Sequence, residues 1–349
     1  MLVRSASKLA VAAGISPLVV GLTVVAFGTS APELVVSIQS SLAGQPDVAL
    51  GNVIGSNIFN VLFILGISAL IVPLRVAQKL IRVDAPLMVG LSLAVWFLAL
   101  DGWIGRLDGV LLTAGLIAYT LWAIIKSRRE QAGIQAEYEA EFGVTTATSN
   151  VRQNLLNVVI LIAGLGLLVL GSRLFVDAAI TIARQLGVSE LVIGLTIVAA
   201  GTSLPEVATS IMAAIRGERD IAVGNVVGSN IFNIMGVLGI SSFVSAQGIA
   251  VSEAAFALDL PVMIAAAVAC LPIFFTGHLI ARWEGALLLA YYVAYTVSIV
   301  ISATLPGFTR TYAMVMLGVV VPLTVITLLT AVIRHIRSGG ELDADGEIK

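Results

Sequence analysis

Two stretches of this chain repeat each other inside long apolar runs. Gly21–Ile67 matches Gly194–Ile240 without a gap at an offset of 173, with 27 of the 47 pairs identical. GLTVVAFGTSAPELVVSI faces GLTIVAAGTSLPEVATSI, and GNVIGSNIFN faces GNVVGSNIFN. The match continues more weakly. Asp84-Ala-Pro86 answers Asp259-Leu-Pro261, and Arg106-x-Asp108-Gly109 answers Arg282-x-Glu284-Gly285. A solenoid needs three or more copies; two copies within apolar runs are a different construction.

Composition fixes the setting of these copies. Of 349 residues, 58% are hydrophobic and 11% charged, against roughly 25% charged in soluble domains. Apolar runs of about 20 residues, enough to cross ~30 Å of hydrocarbon, recur along the chain. In lipid every backbone polar group must be satisfied within its own segment, so such runs are helices. Ten spans are expected, near 15–42, 47–72, 85–103, 107–126, 154–176, 188–215, 220–246, 254–275, 281–304 and 311–333. Five spans separate the two copies. The number is odd, so the second copy enters the membrane in the opposite sense. Inverted-topology repeats are typical of secondary transporters, which bind their cargo at the repeat interface near the midplane.

The expected fold is therefore an all-α polytopic membrane protein of two inverted repeats of about five helices each. Residues 1–127 form the first repeat, 128–152 a polar cytoplasmic loop, 153–304 the second repeat, and 305–349 an extra helix and acidic tail. The polar stretch 127–153 reads as a solvated loop or short surface helix, and the tail GGELDADGEIK as disordered. The second copy is preceded by a full span, Asn154–Val176, whereas Met1 already aligns with Leu174. The leading helix of the first repeat is thus absent from the sequence. Either translation starts upstream of Met1 or the repeat lacks that helix.

Charge sorts by side. Arg4, Lys8, Arg75, Lys79, Arg82, Lys126, Arg128, Arg129, Arg152, Arg216, Arg219, Arg282, Arg334 and Arg337 fall on one face if the spans alternate. Arg106, Arg173, Arg184 and Arg310 fall on the other. The richer face is cytoplasmic by the positive-inside rule, which places both termini in the cytoplasm and the protein in the plasma membrane. Met1–Ala13 has no apolar core of signal-peptide length. A net charge of -2 gives no support to a nucleic-acid partner. The single cysteine, Cys270, cannot form an internal disulfide. Lipid is the expected surrounding, and a monomer is compatible with everything above.

Glu33 and Glu206 stand mid-span among apolar residues. An ionisable group at a helix centre costs ~2.5–3.5 kcal/mol on insertion scales and reads as functional. Each follows a proline, Pro32 or Pro205, which breaks or kinks a helix. Gly28-Thr29-Ser30 and Gly201-Thr202-Ser203 lie just upstream, where glycine tolerates unwound backbone and the hydroxyls add oxygen ligands. An all-oxygen set suits a hard cation such as Ca2+, and no Cys/His cluster serves a softer metal. Two carboxylates balance one Ca2+, two Na+ or two H+. A lone glutamate could equally cap a helix or sit in a salt bridge; a symmetric pair makes those alternatives minor.

The GNV(I/V)GSNIFN segments add polar groups to the next span of each half. Ser56 and Asn60 share a helix face, as do Ser229 and Asn233, and these four are assigned to the site. Asn52, Asn57, Asn225 and Asn230 are assigned to packing, with Gly51/Gly55 and Gly224/Gly228 as small-xxx-small motifs. Asp47 and Asp220 read as helix caps, and Asp84 and Asp259 as span starts. Asp177, His278 and His335 lie near span ends and are given no direct role.

GTSAPE and GTSLPE, with the paired GNV(I/V)GSNIFN, resemble the α-repeats of the sodium/calcium exchanger superfamily, and most closely its prokaryotic branch. The resemblance implies two inverted five-helix repeats. It implies Glu33 and Glu206 as central ion ligands, flanked by Thr29, Ser30, Thr202 and Ser203. Ser56, Asn60, Ser229, Asn233 and the carbonyls of Ala26 and Ala199 would complete the set. It implies transported Ca2+ and Na+ (or H+) as substrates, with no cofactor and no enzymatic activity. The family carries an Asp at the position of Asn60 or Asn233; both are Asn here, so the pocket has one acid fewer. HExxH, GxSxG and intramembrane Asp-pair signatures are absent from the sequence. Exchange of Ca2+ for Na+ is the leading expectation, Ca2+/H+ or another cation/proton antiport the alternative, and a cation channel the least supported.

Overall fold

The computed structural model describes residues 2–142, 151–185 and 199–337, which are helical almost throughout. In chain order the helices are α1 (Leu2–Ala13), α2 (Pro17–Thr29), α3 (Ala31–Leu42), α4 (Pro46–Ile71), α5 (Leu80–Asp101), α6 (Arg106–Phe142) and α7 (Val151–Gln185). They continue as α8 (Ala199–Thr202), α9 (Leu204–Ile215), α10 (Arg219–Val244), α11 (Ala255–Phe275), α12 (Arg282–Thr304) and α13 (Gly307–Arg337). Among the described residues, eight helices are long and apolar enough to cross a membrane. The bent pair α2/α3 makes a ninth span if counted as one. The first part of the expected span 188–215 lies within 186–198, which is outside the described residues, as are 143–150 and the acidic tail 338–349.

Described elements of the two copies pair across the molecule with the halves exchanged. The clearest sign is a pair of two-residue ladders. Strand β1 (Leu74–Arg75) pairs antiparallel with β4 (Leu279–Ile280), and β2 (Trp103–Ile104) pairs with β3 (Ile249–Ala250). Leu74 meets Ile280 and Ile249 meets Ile104, so one contact is made twice with the halves exchanged. The helix crossings repeat the pattern. A Cβ on Gly285 would come within 2.7 Å of the Gly66 carbonyl oxygen, and one on Gly109 within 2.5 Å of the Gly239 carbonyl oxygen. Only glycine lets backbones approach this closely. Pseudo-twofold exchange of the halves is what an inverted duplication produces.

Helix α10 is buried along its whole apolar window and α4 over 72% of it, whereas α13 is buried over 6%. The repeated GNV(I/V)GSNIFN helices are therefore the centre. The outer helices turn Phe97, Leu111, Leu167 and Leu317 outward, which costs nothing where the solvent is acyl chain. Helix α13 rests on α11 and α12, with Tyr291 Oη on Thr324 Oγ1 at 2.7 Å and Tyr312 Oη on the Ala294 carbonyl at 2.7 Å. Helix α1 packs along α7.

Four details differ from the sequence reading or sharpen it. Helix α6 continues through the polar residues 127–142 to Phe142. That segment is rich in Ala, Glu, Gln and Arg, all strong helix formers, and Lys126, just before it, pairs with Glu130 at i,i+4. Helix α5 begins at Leu80, five residues before the expected 85, because a π-helical turn (Leu80–Asp84) extends it. Asp84 is thus no span start. It is buried inside the helix and accepts from Tyr119 Oη at 2.9 Å; Asp259 accepts from Tyr295 in the other half at the same distance. Asp47 and Asp220 lie in first turns whose caps are Gln45 and Glu218, and no side-chain capping bond is made.

Candidate functional site

The broken helices build the site. Pro32 is the second residue of α3 and Pro205 the second of α9. A proline has no N–H, and its ring clashes with the carbonyl four residues back, here that of Gly28 or Gly201. The chain responds identically in both halves. Ser30 (φ -81, ψ 8) and Ser203 (φ -88, ψ 8) leave the helical region for one residue, and α2 meets α3 at a bend of 46°. Each glutamate then falls in the first turn of its half-helix, where the helix dipole favours a negative side chain.

Both carboxyls are fully buried and within Coulomb range of each other. Each is held by the opposite repeat. Ser203 Oγ donates to Glu33 Oε1 at 2.8 Å, and Ser30 Oγ donates to Glu206 Oε1 at 2.9 Å. Ser203 Oγ also lies 3.2 Å from Ser56 Oγ; the counterpart Ser229 Oγ has no partner. Among the described residues no basic side chain pairs with either glutamate.

The second oxygens complete the picture. Glu33 Oε2, Glu206 Oε2, Asn60 Oδ1 and Asn233 Oδ1 are buried acceptors without a donor. Asn60 and Asn233 are wholly inaccessible and sit in π-helical turns, Phe59–Leu65 and Asn233–Leu238. Such turns recur at functional positions because they re-aim side chains. A buried polar atom left bare costs about 1–3 kcal/mol, and here four such oxygens occur in two symmetric pairs. Their chemistry is all oxygen, with two formal negative charges, which matches a hard cation.

The remaining site residues are placed as follows. Thr29 Oγ1 reaches Asn225 Oδ1 at 3.2 Å, and Thr202 Oγ1 reaches Asn52 Oδ1 at 3.4 Å, again across the repeats. The Ala26 carbonyl accepts from the Ser30 backbone N–H at 2.9 Å and from Thr29 Oγ1 at 3.3 Å. Ala199 opens α8. Asn52, assigned to packing, donates to the Glu33 carbonyl at 3.0 Å and to Ser37 Oγ at 2.8 Å. Asn225 donates to Ser210 Oγ at 2.9 Å. Gly224 and Gly228 press against the backbone of Leu18 and Leu22; the counterpart neighbours of Gly51 and Gly55, 191–195, lie outside the described residues. Ser37 and Ser210, which hold the Asn52 and Asn225 amides, are marked in the sequence by the duplication itself. They are identical in the two copies and one helical turn beyond each glutamate.

The sequence model described as "Sodium/calcium exchanger protein" matches residues 1–125 and 156–301. The inner membrane protein YrbG of Escherichia coli (strain K12) is 41% identical over 248 residues, 70% of this chain and 74% of that protein. The sodium/calcium exchanger MaX1 of Methanosarcina acetivorans is 33% identical over 324 residues, 84% of this chain and 92% of that one. Among solved structures, the sodium-calcium exchanger NCX_Mj soaked with 10 mM Na+ and zero Ca2+ superimposes with a TM-score of 0.72. It is 31% identical, over 87% of this chain and 92% of that one. With the sequence model spanning both repeats and the fold shared with a solved exchanger, this chain belongs to the sodium/calcium exchanger family, a multi-pass family of membrane transporters rather than enzymes.

Proposed function

We propose that this protein exchanges Ca2+ for Na+ or H+ across a cell membrane by alternating access, with the cation held between Glu33 and Glu206. The observation that carries the reading is the set of bare, buried oxygens on Glu33, Glu206, Asn60 and Asn233. Thr29, Ser30, Thr202, Ser203, Ser56, Ser229 and the Ala26 and Ala199 carbonyls complete the reach of the site. Two carboxylates accept one Ca2+ or two monovalent cations at the same net charge, so the ions compete for one pocket in turn. The names of MaX1 and NCX_Mj support Ca2+ and Na+ as the pair. Proton in place of Na+ is the second reading, favoured by the asparagines where a third acid would otherwise stand. The basic imbalance between faces supports cytoplasmic termini, and the likeness to YrbG supports the plasma membrane.

The test is Ca2+ uptake into proteoliposomes under an imposed Na+ gradient and then an imposed pH gradient. The gradient that drives uptake identifies the counter-ion. Glu33→Gln and Glu206→Gln are each expected to abolish flux while leaving the protein folded in detergent. Full flux in either variant would remove that glutamate from the site.

A further inference from the structure

The amides of Asn60 and Asn233 each have an oxygen end and an NH2 end, and only the oxygen can hold a cation. Which end faces the cluster is decided one layer away. Asn230 Nδ2 lies 3.4 Å from the Asn57 backbone carbonyl and 3.4 Å from Met88 Sδ. Both neighbours can accept a hydrogen bond and neither can donate one. Asn230 therefore turns its NH2 toward them and its oxygen the other way. That oxygen only accepts, so Asn60 meets it with Nδ2 at 3.0 Å, and Asn60 Oδ1 is left bare. The mirror chain runs through the other half. Asn57 Nδ2 faces Met263 Sδ at 3.6 Å, and Asn57 Oδ1 accepts from Asn233 Nδ2 at 3.1 Å, leaving Asn233 Oδ1 bare.

Met88 and Met263 are buried, on α5 and α11. Neither helix contributes a residue to the oxygen cluster. The two methionines stand at the same place in the two repeats, each two residues after the proline of an Asp-x-Pro segment, although the chain holds only 7 methionines. Any branched aliphatic would fill the same volume; a thioether adds an acceptor without a hydrogen.

We propose that Met88 and Met263 are positioning residues. Acting through Asn230 and Asn57, their sulfurs fix the polarity of the Asn60 and Asn233 amides so that both oxygens face the transported cation. This rests on the reading of those asparagines as ion ligands.

The test uses the full chain in proteoliposomes, with Met88→Leu, Met263→Leu and the double variant, all nearly volume-conserving. Met263→Leu takes away the sulfur that Asn57 Nδ2 faces, whereas after Met88→Leu the Asn57 carbonyl still accepts from Asn230 Nδ2, so the Met263 variant is expected to carry most of the effect. The apparent KM for Ca2+ is expected to rise about three- to tenfold in the double variant, the range that one lost hydrogen bond covers. Turnover at saturating Ca2+ and the melting temperature without Ca2+ are expected to stay near wild type. Met263→Gln, which restores an oxygen acceptor, is expected to recover part of the affinity, and Met235→Leu, a buried methionine outside the chain of amides, to leave KM unchanged. A lowered melting temperature and turnover with wild-type KM would mean packing only and would overturn the proposal. Glu33→Gln separates the two ideas. If it transports normally, the ion site itself is misplaced; if it is dead while the methionine variants keep wild-type KM, this inference alone falls.

Discussion

A membrane potential imposed across proteoliposomes is expected to leave the equilibrium Ca2+ gradient of this protein unchanged. The charged side chains at the candidate site are Glu33 and Glu206, both fully buried. No group of three or more His, Cys, Asp or Glu side chains that could hold a metal occurs among the described residues. The pocket thus carries a charge of -2 when both carboxyls are ionised. One Ca2+ or two monovalent cations neutralise it; a third monovalent ion leaves a buried positive charge. An uncompensated buried charge costs several kcal/mol, and about 4 kcal/mol corresponds to about a thousandfold lower occupancy. Two monovalent ions per Ca2+ is therefore the expected cycle under the proposed function, and it would move no net charge. A cycle of three would move one charge, worth about 2.3 kcal/mol per 100 mV. That would shift the equilibrium Ca2+ ratio about 50-fold per 100 mV. The assay is an internal Ca2+ indicator read at equilibrium, under a fixed Na+ or pH gradient and a stepped diffusion potential. A shift near 50-fold per 100 mV would refute the charge accounting.

Asn233→Asp places a third carboxyl beside the first two, and the same assay is expected to show voltage dependence together with a steeper dependence on monovalent ion. Tyr119→Phe strips the donor from Asp84 Oδ1 when Oδ2 is already bare, and an unsatisfied buried acceptor costs about 1–3 kcal/mol. It is expected to lower the melting temperature in detergent more than Tyr295→Phe does, because Asp259 is less buried than Asp84. Gly285→Val drives a side chain into the Gly66 carbonyl and the Leu70 backbone nitrogen, and overpacking of this kind costs about 1–3 kcal/mol. Gly90→Ala, with open space at its Cβ, is expected to be neutral or stabilising by up to about 1 kcal/mol, the difference in helix propensity.

Much of this architecture is written in the chain because it is written twice. The 173-residue offset exposes the duplication, and the span count supplies its inversion. Pro32 and Pro205 mark the breaks because the missing N–H acts locally, whatever the tertiary surroundings. What the chain hides is which copy serves which. Ser30 and Ser203 are identical in context, and nothing linear says that each donates to the glutamate of the other half. The asparagines assigned to packing were separated from those of the site by helical spacing alone. Spacing cannot reveal that Asn57 orients Asn233 across the centre. The ladders between β1 and β4 and between β2 and β3 are too short to carry an alternating pattern. The π-helical turns leave no mark in hydropathy, so the apolar pattern alone places the start of α5 at 85.

The crossed serine–glutamate bonds bear on how such a chain can change over time. One oxygen of each acid takes its hydrogen bond from a hydroxyl encoded some 170 residues away, in the other copy of the duplicated segment. A substitution at Ser30 is therefore felt at Glu206, and one at Ser203 at Glu33. Drift in either copy is constrained by its twin, which keeps the two motifs alike long after the flanking helices have diverged. Two half-length polypeptides made separately would each present an acid lacking its donor, and would be viable only as a co-expressed pair.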